Sequence, residues 1–233
     1  RDRSPSRGLG DVYKRQEAIH QTRFVHADKL EVSYDVCALR SMPYAGLIQV
    51  KVKALDSVFL SVENWADVPD EYKQASVRQT GIQDNGRHLN MLRTSAFTKH
   101  RNLQVSATSA FIFESVSEVD QAYNGRNVFT KSLKKGEEFS FALLGAVCTE
   151  RDFIDPCNES DREVIYGAKE GVRKLMNLHL KQWNDMWKGD IQIVGDDEAQ
   201  RAVRFALYHL YSSARLGSRL SIPPFGLTSQ GYN

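Results

Sequence analysis

Three groups of residues toward the carboxyl end of this 233-residue chain have types and spacings that could do chemistry. Asp196, Asp197 and Glu198 set three carboxylates side by side, the raw material of an acid and base pair. Gly195 precedes them and an apolar-periodic run follows. They therefore stand where a helix begins, where an Asp oxygen caps free N–H groups and negative charge complements the helix dipole. The helix-start reading outweighs the catalytic one. Trp183 and Trp187, four apart, share one helical stripe, a spacing that belongs to a core before it belongs to a ligand platform. Phe225 and Tyr232 lie in the segment 221–233, where Pro223 and Pro224 hold the backbone extended and Gly226 and Gly231 let it turn. They are apolar plates with one polar tip between them, suited to packing or to stacking on a ring-shaped ligand.

Those groups need elements to position them. Ser160 and Glu163 have capping-box spacing, so a long helix is expected from 160 to about 188. Val164, Ala168, Val172, Leu175, Leu178 or His179, Trp183 and Trp187 make its apolar stripe, and Gly167 and Gly171 mark close packing or a kink. Asn158-Glu159-Ser160 also fits a glycosylation sequon, although backbone capping is the better reason for those residues. A short strand is expected at 191–193, then a helix over 198–214 with Ala202, Val203, Ala206, Leu207 and Leu210 on its inner face. Arg204, which that apolar pattern does not need, is expected to pair with Asp190 or Asp196.

Upstream the period changes from helical to alternating. Residues 29–39, 47–55, 102–114, 126–133 and 138–148 alternate apolar with polar, and the first two make a hairpin across Pro43 and Gly46. Asn124-Gly125 and Lys134-Lys135-Gly136 are turn chemistry. Strands without intervening helices predict an antiparallel sandwich over 17–150, expected to fold by itself. Residues 56–88 show no sustained periodicity and are expected to form a long loop. Residues 1–16 carry a Ser/Pro/Gly/Arg bias without apolar periodicity; they look like a non-native leader and are not expected to form an element.

With 31 basic and 29 acidic residues, the net charge of +2 leaves no basic stripe, which disfavours nucleic acid as a partner. The longest apolar run, 139–148, is far shorter than the ~20 residues of a spanning helix, so no membrane segment is expected. Cys37, Cys148 and Cys157 form no Cys-x-x-Cys pair and read as free thiols, and the six histidines stand singly, so no metal is expected.

The segment from 183 onward resembles the start of the catalytic domain of glycoside hydrolase family 65, the maltose, trehalose and kojibiose phosphorylases and their hydrolytic relatives. Trp183, Trp187, Asp190, Ile191, Ile193, Gly195, Asp196, Gln200, Val203 and Arg204 carry the resemblance. Leu207 to Tyr211, then Pro224, Gly226, Leu227, Gly231 and Tyr232, continue it, with Thr228 and Ser229 departing where the family has Ser and Gly. The resemblance implies a galactose mutarotase-like sandwich, a helical linker over 151–189, and from 190 to 233 the start of an (α/α)6 barrel that continues past the given sequence. The family's acid glutamate and phosphate loop would then lie further downstream, so no catalytic residue is named here.

What the resemblance implies about chemistry is cleavage of an α-linked glucose disaccharide of maltose, trehalose or kojibiose type, with inversion. Hydrolysis is favoured over phosphorolysis, for which inorganic phosphate would be the co-substrate; no other cofactor is implied. This chain alone is expected to be inactive. Phe225 and Tyr232 are the candidate substrate-binding residues, because the family's F-W-D-x-E segment follows directly, and Trp65 or Tyr72 is a further candidate for reaching the sugar. Residues 225–233 look closest to exported bacterial members, which favours a periplasmic or extracellular setting, and a homodimer of the full-length parent is among the assemblies allowed. The alternative from another class is a non-catalytic carbohydrate-binding sandwich module.

Overall fold

The apolar run at 139–148 belongs to a strand buried on both faces, and the rest of the chain is layered around it. A computed structural model describes residues 11–14, 16–84, 87–115 and 118–214. Among them the strands are β1 (Asp11–Lys14), β2 (Ile19–His26), β3 (Leu30–Ala38), β4 (Ala45–Ala54), β5 (Val58–Asn64), β6 (Tyr72–Asp84), β7 (Arg87–Thr98), β8 (Gln104–Phe113), β9 (Gln121–Tyr123), β10 (Arg126–Leu133) and β11 (Glu138–Thr149). The helices α1 (Pro156–Glu170), α2 (Val172–Trp187) and α3 (Asp197–Ser213) follow. An eight-stranded sheet runs β1-β2-β3-β4-β11-β8-β7-β6, and a three-stranded sheet β5-β10-β9 lies over it. The pairings are antiparallel, as the alternating pattern predicts.

Because successive side chains of a strand point to opposite faces, β11 serves two cores. Phe139, Phe141 and Leu143 join Phe111 and Phe129 between the sheets. There Phe129 meets Phe111, Phe113 and Phe141 edge-on, with centroids 4.9–5.0 Å apart, the geometry aromatic quadrupoles prefer. Ala142, Leu144 and Ala146 face the other way, into a core completed by Val164 and Leu175 of the helices. The run is apolar because both faces of the strand pack against a layer along most of its length, Val147 near its end, 53% exposed, being the exception.

Four expectations are corrected. The expected loop at 56–88 holds β5, β6 and the start of β7. In β5 the inward Val58, Leu60 and Val62 alternate with an outward Phe59 that is 70% exposed, which hides the period. As the edge of the large sheet, β6 pairs with β7 alone and is mostly polar, as exposed edges are. Residues 11–14 are an element after all: they pair with β2, from Asp11 against Thr22 to Lys14 against Ile19. The long helix is two, broken at Gly171, whose φ of 81° and ψ of 153° only glycine adopts readily. Finally, no strand forms at 191–193, because a side chain takes the backbone groups: Gln200 Nε2 donates to the Ile191 carbonyl at 2.9 Å, and Ile193 N–H donates to Gln200 Oε1 at 2.7 Å.

Candidate functional site

Two seams hold the helices on the sandwich. The first starts at Asp155, whose carboxylate caps α1 by accepting from Asn158 N–H at 2.9 Å, with Pro156 in the first turn. Ser160 is therefore not the cap expected of it. It lies inside the helix, fully buried, with its hydroxyl 2.8 Å from Ser106 Oγ and 2.9 Å from Thr108 Oγ1 on β8. Next to it Asp161 accepts from Thr108 at 2.8 Å and from Arg93 at 2.5 Å. About two turns on, Gly167 lies so close to Leu144 of β11 that a methyl group there would collide with it.

The second seam joins α2 to α3 and to the β3–β4 connection. His179, fully buried, spends both ring nitrogens: Nδ1 accepts from Arg40 N–H at 3.1 Å, and Nε2 lies 2.8 Å from the Glu17 carbonyl. Since Nδ1 must be bare to accept, the ring is neutral with its proton on Nε2. Burial accordingly lowers its pKa; the Glu17 carbonyl opposes that shift and the Arg40 charge adds to it. Trp183, 3% exposed, stacks on Tyr208 of α3 with centroids 5.7 Å apart, and the Arg40 guanidinium lies over the same indole at 5.6 Å. Both tryptophans are packed, as their stripe predicts: Trp187 Nε1–H donates to the Gln16 carbonyl at 2.8 Å, and its ring meets Tyr211 edge-on.

Asp196 caps α3 by accepting from Glu198 and Ala199 N–H groups at 3.0 and 2.9 Å, so this acidic cluster is a helix start. Arg204 donates through Nε and Nη2 to Asp190 Oδ2 at 3.0 and 2.6 Å, one of the two pairings expected of it. The packed face of α3 differs from the expected one. Tyr208 is its buried residue, while Ala202, Ala206 and Leu210 face out. Among the described residues nothing covers that apolar face.

Phe225 and Tyr232 lie outside the described residues. Tyr72 begins the edge strand β6, and Trp65 follows β5 in the three-stranded sheet, the layer across the large sheet from the helices. Neither joins the helix seams. A cavity of about 620 Å³ opens between α1 and the ends of β7 and β8, floored by Leu89, Ile112 and Ile165 and rimmed by Arg87, His88 and Lys169. Among the described residues no group of three or more His, Cys, Asp or Glu could hold a metal ion, and no helix is long and apolar enough to cross a membrane. Burial pushes the Cys37 and Cys148 thiols up to about 12, with nearby carboxylates adding to it, so neither is a thiolate nucleophile. What the seams do is fasten α2 to the sandwich and α3 to α2, through Arg204 on Asp190, Trp183 on Tyr208 and Trp187 on Tyr211.

Residues 11–186 match the family model described as "Glycosyl hydrolase family 65, N-terminal domain". The chain is similar to a kojibiose hydrolase of Flavobacterium johnsoniae, 32% identical over 218 residues that cover 90% of this chain and 32% of the relative. It is also similar to a kojibiose hydrolase of Mucilaginibacter mallensis, 29% identical over 240 residues, 100% of this chain and 36% of the relative. A nigerose phosphorylase of Lachnoclostridium phytofermentans matches at 35% identity over 101 residues, 42% of this chain and 13% of the relative. The chain thus spans about a third of the length of the two hydrolases. A solved structure described as "Putative kojibiose phosphorylase from human microbiome" shares the fold, with a TM-score of 0.65 over 87% of this chain and 28% of that one at 11% identity.

Proposed function

This chain belongs to glycosyl hydrolase family 65, and from that membership we propose that it forms the amino-terminal sandwich and helical linker of a longer enzyme that hydrolyses an α-linked glucose disaccharide of kojibiose type. The observation that carries the reading is the spread of similarity. The two kojibiose hydrolases match over 90% and 100% of the chain, whereas the nigerose phosphorylase matches over 42%. Hydrolysis with inversion uses one carboxylic acid to protonate the glycosidic oxygen and a second carboxylate to activate water on the opposite face of the ring. Neither carboxylate is assigned to a residue of this chain. Its own contribution is positional: Arg204 on Asp190, Trp183 on Tyr208 and His179 between Arg40 and Glu17 set α3 on the linker. Phe225 and Tyr232 are the residues we assign to the glucose subsite, on the strength of the family pattern around them. Resemblance of the same segment to exported bacterial members supports a periplasmic or extracellular setting.

The second reading is phosphorolysis, favoured by the nigerose phosphorylase match; inorganic phosphate would then be the co-substrate. Comparing kcat/KM of the full-length protein on kojibiose, nigerose, maltose and trehalose tests the substrate. Kojibiose is expected to lead, and a clear preference for any of the other three would overturn that choice.

A further inference from the structure

The outer face of the three-stranded sheet carries a row of side chains that the helix seams leave unused. Asn124 and Gly125, with φ of 46° and 74°, form the left-handed pair of a tight two-residue hairpin. That turn sets the β9–β10 register so that Tyr123 stands opposite Arg126. Across β10, Asn127 is paired with Asn64, which brings Trp65, one residue further on, level with Arg126. Tyr123, Arg126 and Trp65 therefore stand side by side over three strands, the two rings roughly 10 Å apart at ~4.8 Å per strand.

Both rings are open to solvent, Tyr123 at 67% and Trp65 at 53% exposed. Between them, the Arg126 guanidinium lies over the Trp65 ring, 5.4 Å from its centroid, and donates to Glu63 Oε2 at 2.6 Å. The backbone beneath is tied down from the large sheet, by Gln79 Nε2 donating to the Arg126 carbonyl at 2.8 Å and by the buried Asn127 donating to the Asn90 carbonyl at 2.8 Å. The row is thus held in place before any ligand arrives, which reduces the ordering entropy that binding must overcome.

We propose that this row binds a neutral oligosaccharide. A pyranose presents a flat C–H face that packs on an aromatic ring and an equator of hydroxyls that both donate and accept. Trp65 and Tyr123 supply the plates, and the paired Arg126 and Glu63 supply donors and acceptors with no net charge. That neutrality selects hydroxyls over an anion. It also argues against single-stranded nucleic acid, which needs unpaired positive charge along its backbone. Rings ~10 Å apart match alternate units of a glycan chain, so a ligand of roughly three pyranose units or more engages both plates. The choice of an α-glucan as first probe rests on the proposed function; the face itself does not.

Calorimetric titration of the 233-residue chain with maltotetraose, cellotetraose and laminaritetraose reads binding without reference to turnover. Saturable binding of maltotetraose is expected, with a dissociation constant on the order of 1 mM. Trp65→Ala and Tyr123→Ala should each weaken it roughly tenfold, equivalent to ~1.4 kcal/mol, while leaving the melting temperature unchanged. Phe59→Ala should not weaken it, since Phe59, although exposed, lies roughly 20 Å back along β5. Binding of cellotetraose or laminaritetraose instead, with the same variant pattern, supports the face and counts against the α-glucoside reading alone. Failure of all three glycans to bind the native chain overturns the proposal, as does undiminished binding by a folded Trp65→Ala chain or an equal loss in Phe59→Ala.

Discussion

Replacing His179 by leucine tests how the linker helix is fastened to the sandwich. Leucine is nearly the same size, so the pocket stays filled, while the Arg40 N–H and the Glu17 carbonyl lose the partners they have in the native chain. Loss of a hydrogen-bond partner by a buried polar group costs about 1–3 kcal/mol, so the two losses together are expected to cost about 2–6 kcal/mol. For a chain of this length that is a fall of about 4–24 °C in melting temperature. The pH profile should change too. Burial holds the native ring below its ordinary 6.5, so below that pH the unfolded chain binds a proton that the folded chain refuses. Stability from this group is therefore complete above 6.5 and is lost as pH falls toward the depressed folded value, with a slope of at most about 1.4 kcal/mol per pH unit. Urea unfolding of both chains between about pH 5 and 8 measures it. The native-minus-variant difference should shrink toward the acid end, where protonation already strains the native site. Equal midpoints, or a difference that does not change with pH, would refute the neutral bridging role.

Other expectations follow from the same contacts. Arg204→Ala should lower the melting temperature read by differential scanning fluorimetry, by less at high salt, without altering the substrate choice of the full-length protein; unchanged melting would mean the Asp190 pair holds nothing. Gly167→Val should cost about 1–3 kcal/mol by overpacking against Leu144, and pairing it with Leu144→Ala should recover part of that loss; calorimetry showing no change would mean α1 does not press on the sheet. In the full-length protein, Tyr232→Ala should raise KM for the disaccharide several-fold with the fold intact, and unaltered kinetics would assign Tyr232 to packing.

Which features could be read in advance depended on where each residue's constraint lay. β10 was legible because its buried Asn127, Phe129 and Leu133 alternate with outward residues, and β3 and β4 because their apolar residues recur at every second position over most of each strand. What hid β5 was an outward phenylalanine, and what hid β6 was the polar composition of a sheet edge, both consequences of neighbours that a local window does not contain. The start of α1 was present as Asp155-Pro156, a cap followed by a first-turn proline. It was outweighed by the capping-box spacing of Ser160, whose hydroxyl is instead matched to Ser106 and Thr108 more than 50 residues away. Gln200 replaces a strand partner for residues 191 and 193, which lie nine and seven residues before it, through side-chain bonds that leave no periodic pattern. Arg204 was legible for a local reason: a charge set between Val203 and Phe205 favours a counter-charge, and Asp190 was within reach.

The most direct test is proton NMR of kojibiose turnover by the full-length protein in phosphate-free buffer, timed against the mutarotation of free glucose. Turnover without phosphate is expected, with the glucose of the non-reducing unit appearing first as the β anomer, in excess of the anomeric mixture contributed by the reducing unit. Turnover that waits for added phosphate and yields glucose 1-phosphate would contradict hydrolysis, and α-glucose appearing first would contradict inversion.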